Sequence, residues 1–172
     1  LAAAWWVLGR ALGPSGRTVV PIALTCGLAV NAIVGLAQVG LNVRTGPLAS
    51  LPGRASGLMQ NPAYYGSFAV GVCVYWLFRS VSHHNWATLA TVSGTALAAG
   101  LSGSRVVFAV TVMAAILASA LTRTPSGFVT LGAAAVGLLA ASGFTRVASS
   151  VSTIDRIAGG ESIDSRMQVW RN

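Results

Sequence analysis

An arginine occupies a position where a helix is expected to begin. Residues 101–105 read Leu-Ser-Gly-Ser-Arg and separate two long apolar runs, so Arg105 is predicted to lie in the first turn of the second helix. A helix N-terminus carries partial positive charge and favours anions. An arginine at this position would be explained by a phosphate that binds both the helix N-terminus and the guanidinium. The alternative is an arginine whose side chain extends to lipid headgroups.

A second pattern combines a helix start with paired tyrosines. Asn61 can cap a helix and Pro62 suits its first turn, and Tyr64 and Tyr65 follow directly. The tyrosines are candidates to line the mouth of a sugar-binding site. Tyrosines are also common at membrane interfaces, so this motif alone leaves both interpretations open.

A third pattern lies near the end of the chain. Arg166 and Trp170 are four residues apart, which places them one turn apart on the same face of a predicted amphipathic helix. Arg166 is a candidate anion-binding residue. The alternative is a cation–π contact on a helix at the membrane surface.

The remaining chemically capable residues give weaker signals. Arg44 and Arg54 lie in the Gly/Pro-rich segment 42–61, where an arginine can face headgroups or bind an anionic donor. His83 and His84 have no carboxylate or cysteine near them in sequence, which favours solvated loop histidines. The sequence shows no metal-ligand or redox spacing, so we expect no metal and no cofactor.

The charge distribution predicts the elements that position these residues. Of 172 residues, 54% are hydrophobic and 8% are charged, against roughly 25% charged in soluble domains. Residues 1–154 contain eight arginines and no Lys, Asp or Glu, and 17 to 26 uncharged residues separate most successive arginines. About 20 apolar residues cross a hydrocarbon layer about 30 Å thick. The net charge of +8 does not favour nucleic-acid binding, because the arginines are dispersed rather than clustered.

We therefore predict an all-α fold, a polytopic integral membrane protein with about five full transmembrane helices. Strands of a β-barrel are excluded because the apolar runs are continuous, whereas barrel strands alternate over about ten residues. Acids appear only late, so residues 1–145 are predicted to form the membrane domain and 146–172 to begin an aqueous extracytoplasmic loop that continues beyond this chain. The predicted spans are 18–41, 62–80, 86–101, 105–121 and 126–144, with 1–8 as part of an earlier helix.

Small residues at helical spacing predict close packing between these helices. Ala133, Gly137 and Ala141 form one such series, and Gly94 and Ala98 form another. Small side chains allow neighbouring helix backbones to approach closely in a membrane.

The three motifs, taken in order, resemble the O-antigen ligase/polymerase family. The resemblance rests on Gln60-Asn61-Pro62, on Ser102-Gly103-Ser104-Arg105 and on Ser165-Arg166 with Trp170, and it covers roughly residues 52–172. Members of that family are polytopic glycosyltransferases of the bacterial cytoplasmic membrane. They transfer a glycan from a polyprenyl diphosphate, on the outer face, to a hydroxyl of a glycan or lipid acceptor, without a metal.

The resemblance implies roles for particular residues. Arg105 and Arg166 would bind the donor diphosphate, for which the planar guanidinium suits bidentate contacts. Arg54, Tyr64 and Tyr65 are further candidate donor-binding residues. Family ligases carry a functional histidine later in the external loop than this chain extends, so we expect the present stretch alone to be inactive.

The resemblance also fixes the orientation. The arginines divide almost evenly between the two sides, so charge alone does not decide it. By family topology, 42–61 and the segment after Arg146 are external, whereas His83, His84 and Arg123 are cytoplasmic.

The alternative from another functional class is a multipass transporter or lipid flippase for an anionic substrate. Transporters commonly show internal repeats and broken helices, whereas this chain shows no clear repeat and its one break candidate, Pro21, falls early in the first span. A purely structural membrane subunit would leave the external arginines unexplained. A large external loop that contains a histidine, followed by further spans, would favour the enzyme.

Overall fold

A computed structural model describes residues 13–43, 48, 53–83, 85–122 and 125–149, with the side chains of 13–18, 82, 122 and 149 excepted. Within this part of the chain every regular element is helical, which confirms the all-α prediction. A short 3₁₀ turn, Gly57–Met59, lies between the first two α-helices. The α-helices are α1 (Gly13–Gly40), α2 (Pro62–Ser82), α3 (Trp86–Leu101), α4 (Arg105–Thr122) and α5 (Pro125–Ser149).

Each helix overlaps one predicted span, although α1 begins five residues before its predicted span and α5 ends five residues after its own. It continues to Ser149, so Arg146 lies in its last turn rather than at the start of a loop. By length and apolar composition, Val19–Gly40 and Pro125–Ala148 are the described helices that could cross a membrane, and α3 and α4 are shorter apolar helices. Five crossings remain a prediction. Residues 1–8 and 150–172, with the predicted partial helix and external loop, lie outside the described residues.

Close helix packing is concentrated where α3 meets α5. An added Cβ at Gly137 would lie 2.9 Å from the backbone nitrogen of Leu97, and one at Gly100 would lie 2.7 Å from the Cβ of Ala141. These contacts confirm the predicted roles of Gly137 and Ala141. The prediction for Gly94 is wrong, because it is exposed and has no neighbouring atom within 4 Å of an added Cβ.

Contacts between distant residues define the two ends of the bundle. At the first, which we call the loop end, the Phe144 ring approaches Gly40, and the backbone nitrogen of Ala55 donates to the carbonyl oxygen of Leu101 at 2.8 Å. At the opposite end, the buried hydroxyls of Ser80 and Thr130 share a hydrogen bond of 3.0 Å. Helix α2 therefore runs from the loop end to the opposite end.

Candidate functional site

A buried amide side chain of α1 holds the loop-end segment 53–60. Gln38 is buried, and its Oε1 accepts hydrogen bonds from the backbone nitrogens of Ser56 and Gly57 at 3.0 and 2.9 Å. Its Nε2 donates to the carbonyl oxygens of Gly57 and Leu48, both at 3.0 Å. Four main-chain groups outside α1 thus depend on this amide for hydrogen bonding.

Asn31 supports the same segment two helical turns earlier. Its Oδ1 accepts from the backbone nitrogen of Leu58 at 2.9 Å, while its Nδ2 donates to the carbonyl oxygen of Gly27 in its own helix. Gly57 has φ +55°, and an added Cβ there would lie 2.7 Å from Asn31 Oδ1, so only glycine fits this approach. The sequence interpretation missed Asn31 and Gln38. The available signal was two amides seven residues apart, on one face of a mostly apolar helix.

The turn between α3 and α4 depends on Gly103. The backbone nitrogens of Ser102 and Gly103 bond back to the last turn of α3, and Gly103 has φ +60°, which is the usual left-handed ending of a helix. Ser102 Oγ accepts from the backbone nitrogen of Ser104 at 3.2 Å, and the Ser104 carbonyl accepts from Phe108. Helix α4 therefore starts immediately after a rigid turn, with Arg105 as its first residue, as the sequence predicted.

Arg54 lies against this turn, which the sequence did not predict. Its Nε donates to the carbonyl oxygen of Ser102 at 3.1 Å, and an added Cβ on Gly103 would lie 3.1 Å from the Arg54 Cγ. A cation beside the C-terminal carbonyls of α3 also stabilises the helix end, so this contact has a structural role. Arg54 therefore contacts the turn that directly precedes Arg105 in the chain. Both side chains are partly buried.

The two tyrosines of the predicted sugar-binding mouth occupy different environments. Tyr64 is 69% exposed beside the loop end, where it is accessible to a ligand. Tyr65 has no exposed surface, and its ring lies close to Gly35 and Gly57. The Tyr65 hydroxyl has no hydrogen-bond partner among the described residues. The buried Tyr65 ring therefore packs against the 53–60 segment from inside the bundle. A direct role of Tyr65 in donor binding remains a prediction.

The start of α2 agrees with the sequence. Asn61 adopts extended backbone geometry and its Oδ1 accepts from the backbone nitrogen of Ala63 at 2.8 Å, with Pro62 as the first helical residue. The predicted cap is therefore confirmed. Gly66, one turn later, packs so closely on Ser102 that an added Cβ would lie 2.7 Å from the serine Oγ. The start of α2 therefore packs against the turn that precedes α4.

Other predicted residues lie elsewhere. His83 is exposed just after α2, at the opposite end of the bundle. Arg166, Trp170, Arg44 and His84 fall outside the described residues, so their predicted roles stay predictions. In the part of the chain that the structure describes, no group of three or more His, Cys, Asp or Glu side chains could hold a metal ion.

Among the described residues, the loop end brings together the N-terminus of α4, Arg105 as the first residue of that helix, and Arg54 against the preceding turn. A helix N-terminus with arginines beside it can bind phosphate oxygens through charge-assisted hydrogen bonds. Comparison of the chain with protein-family models, with curated proteins and with solved structures gives no match.

Proposed function

We propose that this chain is part of a bacterial membrane glycosyltransferase of the O-antigen ligase/polymerase type. The observation that carries the proposal is the placement of Arg54 against the turn that ends at Arg105. These arginines are 51 positions apart in the chain, and both were candidate donor-binding residues. The first turn of α4, beside them, supplies backbone N–H groups suited to an anion.

The proposed substrate is a glycan linked to polyprenyl diphosphate. A hydroxyl of the glycan or lipid acceptor attacks the anomeric carbon and gives its proton to a general base, for which the resemblance implies the histidine later in the external loop. The bond between the anomeric carbon and the diphosphate oxygen breaks, and the polyprenyl diphosphate leaves with the bonding electrons. Arg105 and Arg166 would stabilise the charge that develops on the leaving oxygens. Arg54 would hold the turn in place and add to the positive potential beside it, and Tyr64 is exposed where the sugar would lie.

The proposal places the five helices in the cytoplasmic membrane with the loop end on the extracytoplasmic side. Large apolar side chains exposed on several helices support a lipid environment, since soluble monomers rarely expose extensive apolar patches. Ile33 is 67% exposed on α1, Met113 is 66% exposed on α4 and Phe128 is 73% exposed on α5. A lipid phase would cover these side chains.

The test is glycan transfer by variants of the full-length protein that contains this chain. Arg105→Ala and Arg166→Ala should each lower the transfer rate by about a hundredfold to a thousandfold, the usual effect of losing a preorganised charge donor, or about 2.7 to 4 kcal/mol. Lysine should restore little, because it lacks the bidentate guanidinium. Transfer is measured from a purified polyprenyl diphosphate glycan, and donor binding is measured separately.

Arg146→Ala is the matched control. Arg146 is an exposed arginine in the last turn of α5, so its removal changes the charge at the same end of the bundle without touching the α3–α4 turn. The control should transfer glycan at close to the normal rate. Near-normal transfer by both lysine variants would contradict the diphosphate role, and donor binding without any transfer by the unmodified protein would favour a transporter.

A further inference from the structure

A second candidate site lies at the opposite end of α2 from the arginine turn. A groove of about 320 Å³ runs along the helix surface and is lined by Val74, Tyr75, Phe78, Arg79 and His83. Residues four apart in a helix lie one above the other, so Val74 and Phe78 form one row of the lining, its apolar floor, and Tyr75 and Arg79 form the row beside it. Its floor is apolar and its end is cationic.

The guanidinium in this groove is held in a defined orientation. Arg79 Nη1 donates to the Tyr75 hydroxyl at 3.3 Å, and its Cζ lies 5.8 Å from the centroid of the Trp76 ring. The Tyr75 and Trp76 rings meet edge to face, with centroids 5.5 Å apart. Trp76 is itself anchored, because its Nε1 donates to the hydroxyl of Thr25 at 2.7 Å. The cation therefore has a fixed position beside the apolar floor.

We infer that this groove binds an anionic phospholipid. Arg79 and the exposed His83 contact the headgroup phosphate, and the upper part of one acyl chain lies along Val74 and Phe78. A zwitterionic phosphatidylcholine is disfavoured because its quaternary ammonium would lie near the guanidinium. The inference rests on the membrane location given under the proposed function and is independent of glycan transfer.

The position of the groove fits a membrane boundary. In the proposed arrangement of five crossings α2 is one of the spans, and its 21 residues give it a length of about 30 Å, close to the thickness of the hydrocarbon layer. Arg79 lies in its last turn, and Tyr75 and Trp76 lie one turn deeper, at the depth where interfacial aromatic residues are enriched. By the proposed orientation this is the cytoplasmic boundary.

The experiment counts retained lipids by native mass spectrometry. The protein is reconstituted in vesicles of equal phosphatidylglycerol and phosphatidylcholine content and then released. The unmodified protein should retain phosphatidylglycerol selectively, and Arg79→Gln should weaken that retention by about tenfold, as expected for one charge-assisted hydrogen bond. Arg146→Gln removes the same charge at the loop end and should leave retention unchanged. Excess inorganic phosphate should not displace the lipid, because it cannot occupy the apolar floor.

A second variant guards against a folding defect in Arg79→Gln. Val74→Trp fills the apolar floor and keeps the arginine, so it should also reduce retention of phosphatidylglycerol. Equal retention of both lipids by the unmodified protein, or unchanged selectivity in both variants, would overturn the site. Flotation with the vesicles is checked first: failure to float contradicts the membrane location, whereas flotation without lipid selectivity refutes only the groove.

Discussion

Replacing Gln38 by leucine should release the 53–60 segment from α1. The amide of Gln38 serves four main-chain groups, the nitrogens of Ser56 and Gly57 and the carbonyl oxygens of Gly57 and Leu48. Leucine has a similar volume but can neither donate nor accept a hydrogen bond. The helix is retained, since leucine is a good helix former, so the change acts on the segment rather than on α1.

The size of the effect follows from the burial of the groups left without partners. Ser56 and Gly57 are buried, so water does not replace the lost acceptor while the segment stays in place. Each unsatisfied buried donor costs about 1 to 3 kcal/mol, and two of them cost about 2 to 6 kcal/mol. The segment should therefore open at least about thirtyfold more often, by the relation between free energy and equilibrium constant.

Hydrogen–deuterium exchange with mass spectrometry measures this opening directly. Peptides that contain Ser56 and Gly57 should exchange faster in Gln38→Leu, while peptides from the contact between α3 and α5 should keep their protection. Asn31→Leu is the control: Leu58, whose nitrogen it serves, is exposed, so water can replace the bond. In that variant the exchange at Ser56 and Gly57 should rise by less than about tenfold.

Equal exchange rates of Ser56 and Gly57 in Gln38→Leu and in the unmodified protein would refute the local role of Gln38. An equal loss of protection throughout the helices would also refute it, because Gln38 would then stabilise the whole bundle rather than this segment.

Two further predictions concern packing and orientation. Gly137→Ala should lower the unfolding temperature in detergent, at a cost of about 1 to 3 kcal/mol, because the added Cβ would press on the α3 backbone at Ser93 and Leu97. Gly132→Ala, in the same helix with open space around it, should instead stabilise the protein by about 0.5 to 1 kcal/mol. Equal effects of the two substitutions would contradict the packing of α3 on α5. In intact cells with the outer envelope opened, a membrane-impermeant thiol reagent should label a cysteine at Ser162 but not one at Ser82; the reverse pattern would invert the proposed orientation.

The parts of the fold that the sequence predicted are those determined by local signals. Continuous apolar runs between arginines located the five helices, and the Asn61-Pro62 pair located the start of α2. The chemistry of a cap involves residues within one turn of each other, so it can be recognised without tertiary contacts. Arg105 was placed at a helix start by the same kind of reasoning.

The parts that were missed depend on contacts between distant residues. Arg54 meets Ser102 across 48 positions, and no local pattern encodes that pairing. Tyr64 and Tyr65 are adjacent, but successive helical residues point about 100° apart, so one is exposed and the other buried. Gly94 resembles Gly137 in its sequence surroundings, yet only Gly137 faces another helix. The neighbouring helices decide which face of an apolar helix is covered. The sequence of the helix does not show this, because lipid and protein interior accept the same side chains.

The hydrogen bond between Arg54 and Ser102 has a consequence for how the protein is made. A ribosome adds about 5 to 20 residues per second, so the acceptor carbonyl is synthesised roughly 2 to 10 s after the arginine. During that interval Gln38 and the main chain of Ser56 and Gly57 are already present and can associate, whereas Arg54 has no α3 terminus to approach. The contact between Arg54 and this turn therefore forms only after α3 has been made and has packed against the first helices, which makes it a late step of biogenesis.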